Sequence, residues 1–331
     1  MAQLPIERFS AFSIESRKKS TCPQPAAHPR TFYIDIALVA TAFLALIVLG
    51  IATHSPVFDM ARSRLTRRSL FVLGAFLIVF PLFRRKSILA PILDWLPLVG
   101  LFAVYENLKH MHANTITEWL GILPKDALMA AIDKFLFGAE LPLKLQSLSP
   151  RWFLSVMWFF YFWVYYCGPT LLLGWIYFRL RDKELFARLR HLLIIAFLGG
   201  YILYILVPVA GPIFTIGDQF SFPIVTHRAI KTITFSYRYN WDCFPSLHTA
   251  IPWLLTIAVW RSIPLTGRLI CLLSSVGVTA STVFLRFHYG IDLIAGFIWA
   301  LVVYSVIARD WQFCFSSRCN ILHIQEPKKP I

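Results

Sequence analysis

The sequence predicts an all-α polytopic bundle of transmembrane helices, and three observations lead there. Apolar residues make up 57% of the 331-residue chain and the mean hydropathy is +0.63, more than a soluble domain of this length usually carries. These residues gather in blocks at about 33–53, 69–83, 88–106, 152–178, 191–209, 249–263, 268–286 and 290–308. Lys and Arg outnumber Asp and Glu by 32 to 17 and sit in short clusters between the blocks. That placement fits a positive-inside topology and contact with anionic headgroups, so the +15 balance gives no reason to expect nucleic acid as a partner.

Residues 1–30 are polar and basic, with Arg17-Lys18-Lys19 and four prolines, and read as a disordered tail. Residues 31–87 hold the N-terminal membrane segments. Some thirty mostly polar residues precede the first apolar run, which is long enough to span, so it reads as a retained anchor and not a cleaved leader. A crossing helix needs about 20 residues, which leaves 69–83 and 249–263 short. The second can borrow length from its flanks; the first reads as re-entrant or interfacial. Both Arg62–Arg68 and Arg84-Arg85-Lys86 favour the cytoplasm, although a span between them would part them. Seven and eight spans therefore both stand: six core helices with one or two added at the N-terminus. Residues 107–151 are too polar to span, and Lys125 to Phe137 has the periodicity of a helix lying along the membrane surface.

The basic residues orient the core. Arg179 to Arg190 holds five of them, and Arg261 and Arg268 bracket a second turn; both belong in the cytoplasm. Arg309, Arg318, Lys328 and Lys329 put the tail 309–331 there too. The loop 210–247 and the turn 287–290 must then face the opposite side. Six cysteines form no evident disulfide framework, and Cys314, Cys319 and His323 are too loosely spaced to argue for zinc.

Two strings on that opposite side carry chemistry: Cys243-Phe244-Pro245-Ser246-Leu247-His248 and Arg286-Phe287-His288-Tyr289-Gly290-Ile291-Asp292. Two crossings separate them, which returns the chain to the face it left, so His248 and His288 can meet. Pro245 and Ser246 suit a helix start, where free amides and the positive dipole end favour phosphate. His248 in that first turn is placed to protonate a leaving alkoxide. His288 and Asp292, four apart, share a face if helical, and the carboxylate would orient the ring as a nucleophile toward phosphorus. The scheme needs no metal or other cofactor.

Each sharp reading has a bland one beside it. A single histidine at a membrane edge is usually just an interfacial polar group, which is the reading for His54, His110, His112 and His191. Ser246 could be a plain cap, Asp292 a helix-start acid, and Arg286 a snorkelling anchor. Asp94 lies inside an apolar span, where charge is often functional, yet no motif claims it. Trp158-Phe159-Phe160 and Phe162-Trp163 read as lipid-facing packing.

The two strings resemble motifs of the type 2 phosphatidic acid phosphatase superfamily, which carries Pro-Ser-Gly-His and Ser-Arg-x5-His-x3-Asp after a Lys/Arg-containing first motif. Here the second motif reads Pro245-Ser246-Leu247-His248. The third reads Ser281-Thr282, five residues, His288, three residues, Asp292. Pro208-Val209-Ala210-Gly211-Pro212 stands where the first motif would be. The Leu, the Thr, the Pro-rich string and Asp133-Lys134-Phe135-Leu136-Phe137-Gly138 resemble the branch of fungal inositol phosphorylceramide synthase and its bacterial relatives.

The resemblance implies a phosphatidic acid phosphatase type 2-like membrane domain over 88–308, with His288 as nucleophile, Asp292 its partner and His248 the acid/base. A phosphoryl group needs cations, and Arg286, Arg238, Lys231 and Arg228 are the candidates to replace the lost basic residues, with Ser246 also at the substrate. The expected substrate is a membrane lipid phosphate. The acceptor is an alcohol such as inositol or a ceramide hydroxyl in a phosphotransferase, or water in a lipid or polyisoprenoid (pyro)phosphate phosphatase. A non-catalytic lipid-binding or transport protein is the competing class. Tails without obvious eukaryotic retention signals point to a bacterial inner membrane with the site on the periplasmic face. Protein partners are not indicated.

Overall fold

The computed structural model describes residues 28–52, 90–110, 116–117, 119–221 and 241–323. Among them the secondary structure is helical and there is no strand. The main helices are α1 His28–Ala52, α2 Ala90–His110, α3 Asp126–Phe137, α4 Leu141–Leu145, α5 Arg151–Leu180, α6 Lys183–Leu206, α7 Leu247–Val259, α8 Leu265–Phe284 and α9 Gly290–His323, with a single helical turn at Pro212–Thr215. Five of these are long and apolar enough to cross a bilayer: α1, α5, α6, α8 and the Gly290–Ile307 part of α9. The chain is an integral membrane protein. The 69–83 block, with the arginines around it, lies outside the described residues, as do most of the N-terminal tail and residues 324–331.

Local chemistry sets the boundaries. Asp182 caps α6 by accepting from Leu185 N at 2.9 Å, and Ser246 caps α7 from Thr249 N. The Lys125–Phe137 periodicity is α3, closed by Gly138 at φ +80°. Met129 and Asp133 face inward on it while Leu128, Phe135 and Leu136 stay exposed. The predicted 249–263 span is shorter than expected: α7 has 13 residues and stops at Val259. In α5 the ordinary turns alternate with wider π-helical stretches, Phe159–Val164 and Trp175–Leu180.

Between apolar helices in lipid there is little hydrophobic drive, so close approach and hydrogen bonds hold the bundle. α7 lies among α6, α8 and α9. Gly296 of α9 abuts the Ser246 backbone and Gly200 of α6 abuts Leu247, where a side chain would collide. Trp253 Nε1 donates to Thr279 Oγ1 at 3.1 Å, and the Thr256 and Ser275 hydroxyls pair at 2.8 Å. α1 packs on α2 and α6.

The end of the bundle formed by the α5–α6 turn holds a buried ionic cluster that the sequence reading did not foresee. Arg190 Nε meets Asp35 Oδ2 at 2.7 Å, and His191 Nδ1 meets Asp35 Oδ1 at 2.6 Å. Arg190 Nη1 also donates to the Asp94 carbonyl at 2.9 Å, while the Tyr177 hydroxyl donates to Asp94 Oδ2 at 2.7 Å. Two expectations are corrected here. His191 is a buried member of this lock and not an interfacial group, and Arg190 is fully buried and not a loop charge. Asp94 has its explanation in the same cluster: it joins α2 to α5 and α6. An amphipathic-pattern argument misses this, because the partners lie 155 and 156 residues away along the chain.

Candidate active site

The opposite end of the bundle gathers the C-terminus of α6, the start of α7, and the turn between α8 and α9. Residues 208–212 are its hub. Val209 bridges Asp242, and its carbonyl accepts from Cys243 N at 3.2 Å. Both oxygens of the Asp126 carboxylate accept from Ala210 N, at 3.1 and 3.0 Å, and one accepts from Gly211 N at 2.9 Å. Gly211 sits at φ +98°, with the Phe287 carbonyl and Cys243 Sγ where a Cβ would go. The string standing in place of the basic first motif thus holds the other two strings together through backbone.

Ser246 places His248. Its Oγ accepts from Thr249 N at 3.3 Å, and its own N–H donates to the Asp292 carbonyl at 3.1 Å, tying the α7 start to α9. His248 falls in the first turn of α7, as expected. Its half-buried ring stacks on Tyr161 at 4.5 Å and packs on Tyr165 at 4.0 Å between centroids. Tyr161 in turn stacks on Phe287 at 4.9 Å, and Trp158 meets Phe287 edge-on at 5.8 Å. The aromatic run is therefore divided. Phe159 and Trp163 face outward as expected, but Trp158, with Tyr161 between, packs behind the two histidine strings, a correction to the lipid-facing reading.

His288 is held by a turn that the third motif builds. Arg286 adopts φ +63°, and the Thr282 carbonyl accepts from Phe287 N at 2.9 Å and His288 N at 3.3 Å. The Thr282 side chain stays on its own helix, donating to Thr279 O at 2.8 Å. His288 and Asp292 do not share a helix face, because α9 begins at Gly290 and His288 lies in the turn before it. They still meet: His288 Nδ1 is 3.4 Å from Asp292 Oδ2, with 1% and 0% of the side chains exposed. The same oxygen accepts from Tyr289 N at 2.9 Å. The rings of His248 and His288 are 5.8 Å apart. Nδ1 is the His288 nitrogen turned toward the carboxylate.

Asp133 braces this turn from α3. Its Oδ2 accepts from Gly290 N at 2.9 Å and Leu141 N at 3.1 Å, and its Oδ1 from Ile291 N at 2.9 Å. Arg286 is only 3% exposed, so it is not a snorkelling anchor. Its guanidinium lies 4.1 Å over the Phe220 ring, and burial pushes its pKa down to about 10, which leaves it cationic at neutral pH. Arg228, Lys231 and Arg238 lie outside the described residues. Cys243, His288 and Asp292 have donor atoms within 4.8 Å of one another, the nearest approach to a metal-ligand set among the described residues. The Cys243 thiol already donates to Ala210 O at 3.0 Å and Phe287 O at 3.2 Å, which makes it a backbone staple.

A family model described as the PAP2 superfamily matches residues 126–306, more than half of the chain. The chain belongs to the PAP2 superfamily. No curated protein and no solved structure matches it. The PAP2 match opens at Asp126, the residue that clamps the hub, and runs through both histidine strings. PAP2 membership supports lipid phosphatase- or phosphotransferase-type activity. Sequence reading missed Asp126, Cys243, Tyr161 and Tyr165. Asp126 and Asp133, seven apart on one helix face, carried a readable signal; the others acquire a role only through tertiary contact.

Proposed function

We propose that this PAP2 protein transfers a phosphoryl group from a membrane lipid phosphate through a phosphohistidine, as a phosphotransferase of the inositol phosphorylceramide synthase type. The observation that carries the chemistry is two histidine rings 5.8 Å apart, with a buried carboxylate 3.4 Å behind one of them. His288 Nε2 attacks phosphorus and the bond to the lipid alkoxide breaks. His248, as imidazolium, gives its proton to the departing oxygen. Neutral His248 then takes the proton of the incoming hydroxyl as that oxygen displaces His288. Asp292 holds the Nδ1 proton and stabilises the ring's positive charge. Arg286 and the α7 N-terminus, with Ser246 as its cap, stabilise the phosphoryl charge; Arg228, Lys231 and Arg238 are further cationic candidates.

Support for an alcohol acceptor comes from the branch resemblance at Leu247, Thr282 and Pro208–Pro212, and from an enclosed nucleophile, since an alcohol competes with water only where water is scarce. With water as acceptor the same centre is a lipid phosphatase. The site is proposed to face the periplasm of a bacterial inner membrane; Arg179 to Arg188 and Arg261 to Arg268 lie at the far end of their helices from it.

The test is purified protein with phosphorus-labelled lipid donors, with and without myo-inositol, beside His288→Ala. An acid-labile phosphoenzyme and a new phosphodiester, both absent in the variant, support the reading. Free phosphate as sole product makes it a phosphatase. Turnover that survives His288→Ala sinks the mechanism.

A further inference from the structure

Beside His248, on the side of Tyr165, the bundle carries a row of polar groups that the transfer chemistry does not use. The Tyr105 hydroxyl of α2 donates to Asp242 Oδ2 at 2.9 Å. The Tyr105 ring lies 5.5 Å from that of Tyr201 on α6, which lies 6.2 Å from Tyr204. Tyr165 on α5, 4.0 Å from His248, joins the row to the catalytic ring. Asp242 is a charged neighbour of all four tyrosines, and Glu106 of Tyr201. Tyrosines from three helices thus neighbour one carboxylate of the 241–246 string, and the Tyr105 hydroxyl bonds it directly. Tyr105, Tyr165, Asp242 and His248 all keep accessible surface, although the helices around them pack an apolar core.

Phenylalanine would fill the same volume without a hydroxyl to satisfy in an apolar surround, and a half-buried carboxylate is costly without polar partners. A tyrosine bonded to an acid, with three more tyrosines beside the pair, makes a set of donors and acceptors suited to a ligand that offers both. The sign of the charge narrows the class. The charged neighbours these tyrosines share are carboxylates, which repel phosphate. Phosphate has its own place by Arg286 and the α7 N-terminus.

We propose that Tyr105, Tyr165 and Asp242, backed by the buried Tyr201 and Tyr204, form a subsite for a neutral polyhydroxylated headgroup, held against His248 while the phosphoryl group sits between the two histidines. This rests on the phosphotransfer reading above and names the groups that select its substrate. Vicinal hydroxyls donate to Asp242, and the tyrosines donate to or accept from the rest of the ring. The polyol arrives either as a substituent on the donor phosphorus or as the free alcohol acceptor; the chemistry of the subsite is the same.

Binding and turnover are measured separately on the full-length protein in nanodiscs. In a His288→Ala background, which is silent in transfer, labelled phosphatidylinositol is expected to bind about tenfold or more tighter than phosphatidic acid. Adding Asp242→Asn erases that preference, and Tyr105→Phe reduces it. Thermal melting shows whether each variant is folded, and the milder Tyr105→Phe serves if Asp242→Asn is not. In the active protein, preferred transfer from phosphatidylinositol puts the polyol on the donor. Saturable dependence on free myo-inositol with phosphatidic acid as donor makes it the acceptor. Equal binding of the two lipids together with no inositol dependence overturns the subsite, as does a preference that survives both substitutions. No turnover of any donor with the binding preference intact removes the phosphotransfer reading and leaves the subsite standing.

Discussion

Asp133 is the most informative residue to perturb, because it touches neither histidine and yet three backbone amides at the foot of the site depend on it. One oxygen takes Gly290 N and Leu141 N, and the other takes Ile291 N, at 2.9, 3.1 and 2.9 Å. The residue is fully buried, so no water replaces it. A hydrogen bond to a charged group is worth about 1.5–3 kcal/mol, and loss of a helix N-cap costs about 0.5–2 kcal/mol. Asp133→Asn keeps one carbonyl acceptor and turns an amide NH₂ toward at least one backbone N–H. Its expected cost is about 2 kcal/mol, and that of Asp133→Ala, which strands all three donors, about 3–5 kcal/mol. The loss falls on the first turn of α9, two residues before Asp292, so the Asp292–His288 pair loosens with it. Thermal unfolding in detergent reads the first effect and kcat on a lipid phosphate reads the second, with a fall of about tenfold or more expected for the Asn variant. An Asn variant with unchanged melting and unchanged kcat would refute the argument that this carboxylate organises the site.

Asp292→Asn should keep the fold but lower kcat by about 10²–10⁴-fold, since the amide cannot stabilise the charged His288 ring as a carboxylate does; a loss under threefold on any lipid donor counts against the Asp292–His288 pairing. Arg286→Gln should raise KM for the phosphorylated lipid by about tenfold. Burial brings the pKa of Arg286 down to about 10, so its charge is present at pH 8 and is lost as pH rises through about 10. Wild-type KM should therefore climb over that interval while that of Arg286→Gln stays flat in a pH series. Asp35→Asn leaves the buried Arg190 guanidinium without its carboxylate and is expected to cost about 3–5 kcal/mol in stability at the far end of the bundle, with kcat per folded molecule unchanged. Parallel melting and turnover curves separate those two effects.

The sequence by itself determined the membrane class, most span positions and the meeting of His248 with His288. Each follows from a property written along the chain: apolar length, and the parity of two crossings between two strings. It also carried the helix α3, since a 3.6-residue period is a local property. The tertiary structure alone decided what those strings stand on. Asp126 and Asp133 reach amides 84 and 157 residues away, Gly211 is dictated by a carbonyl of the α8–α9 turn, and Tyr161 and Tyr165 meet His248 from a different helix. The same distance hid Asp35 from Arg190 and Tyr105 from Asp242, which are 155 and 137 residues apart. A buried carboxylate is stable only beside its donors, and which donors it finds depends on how helices cross in three dimensions. Periodicity and spacing describe one helix at a time, so pairings between helices are set by packing alone.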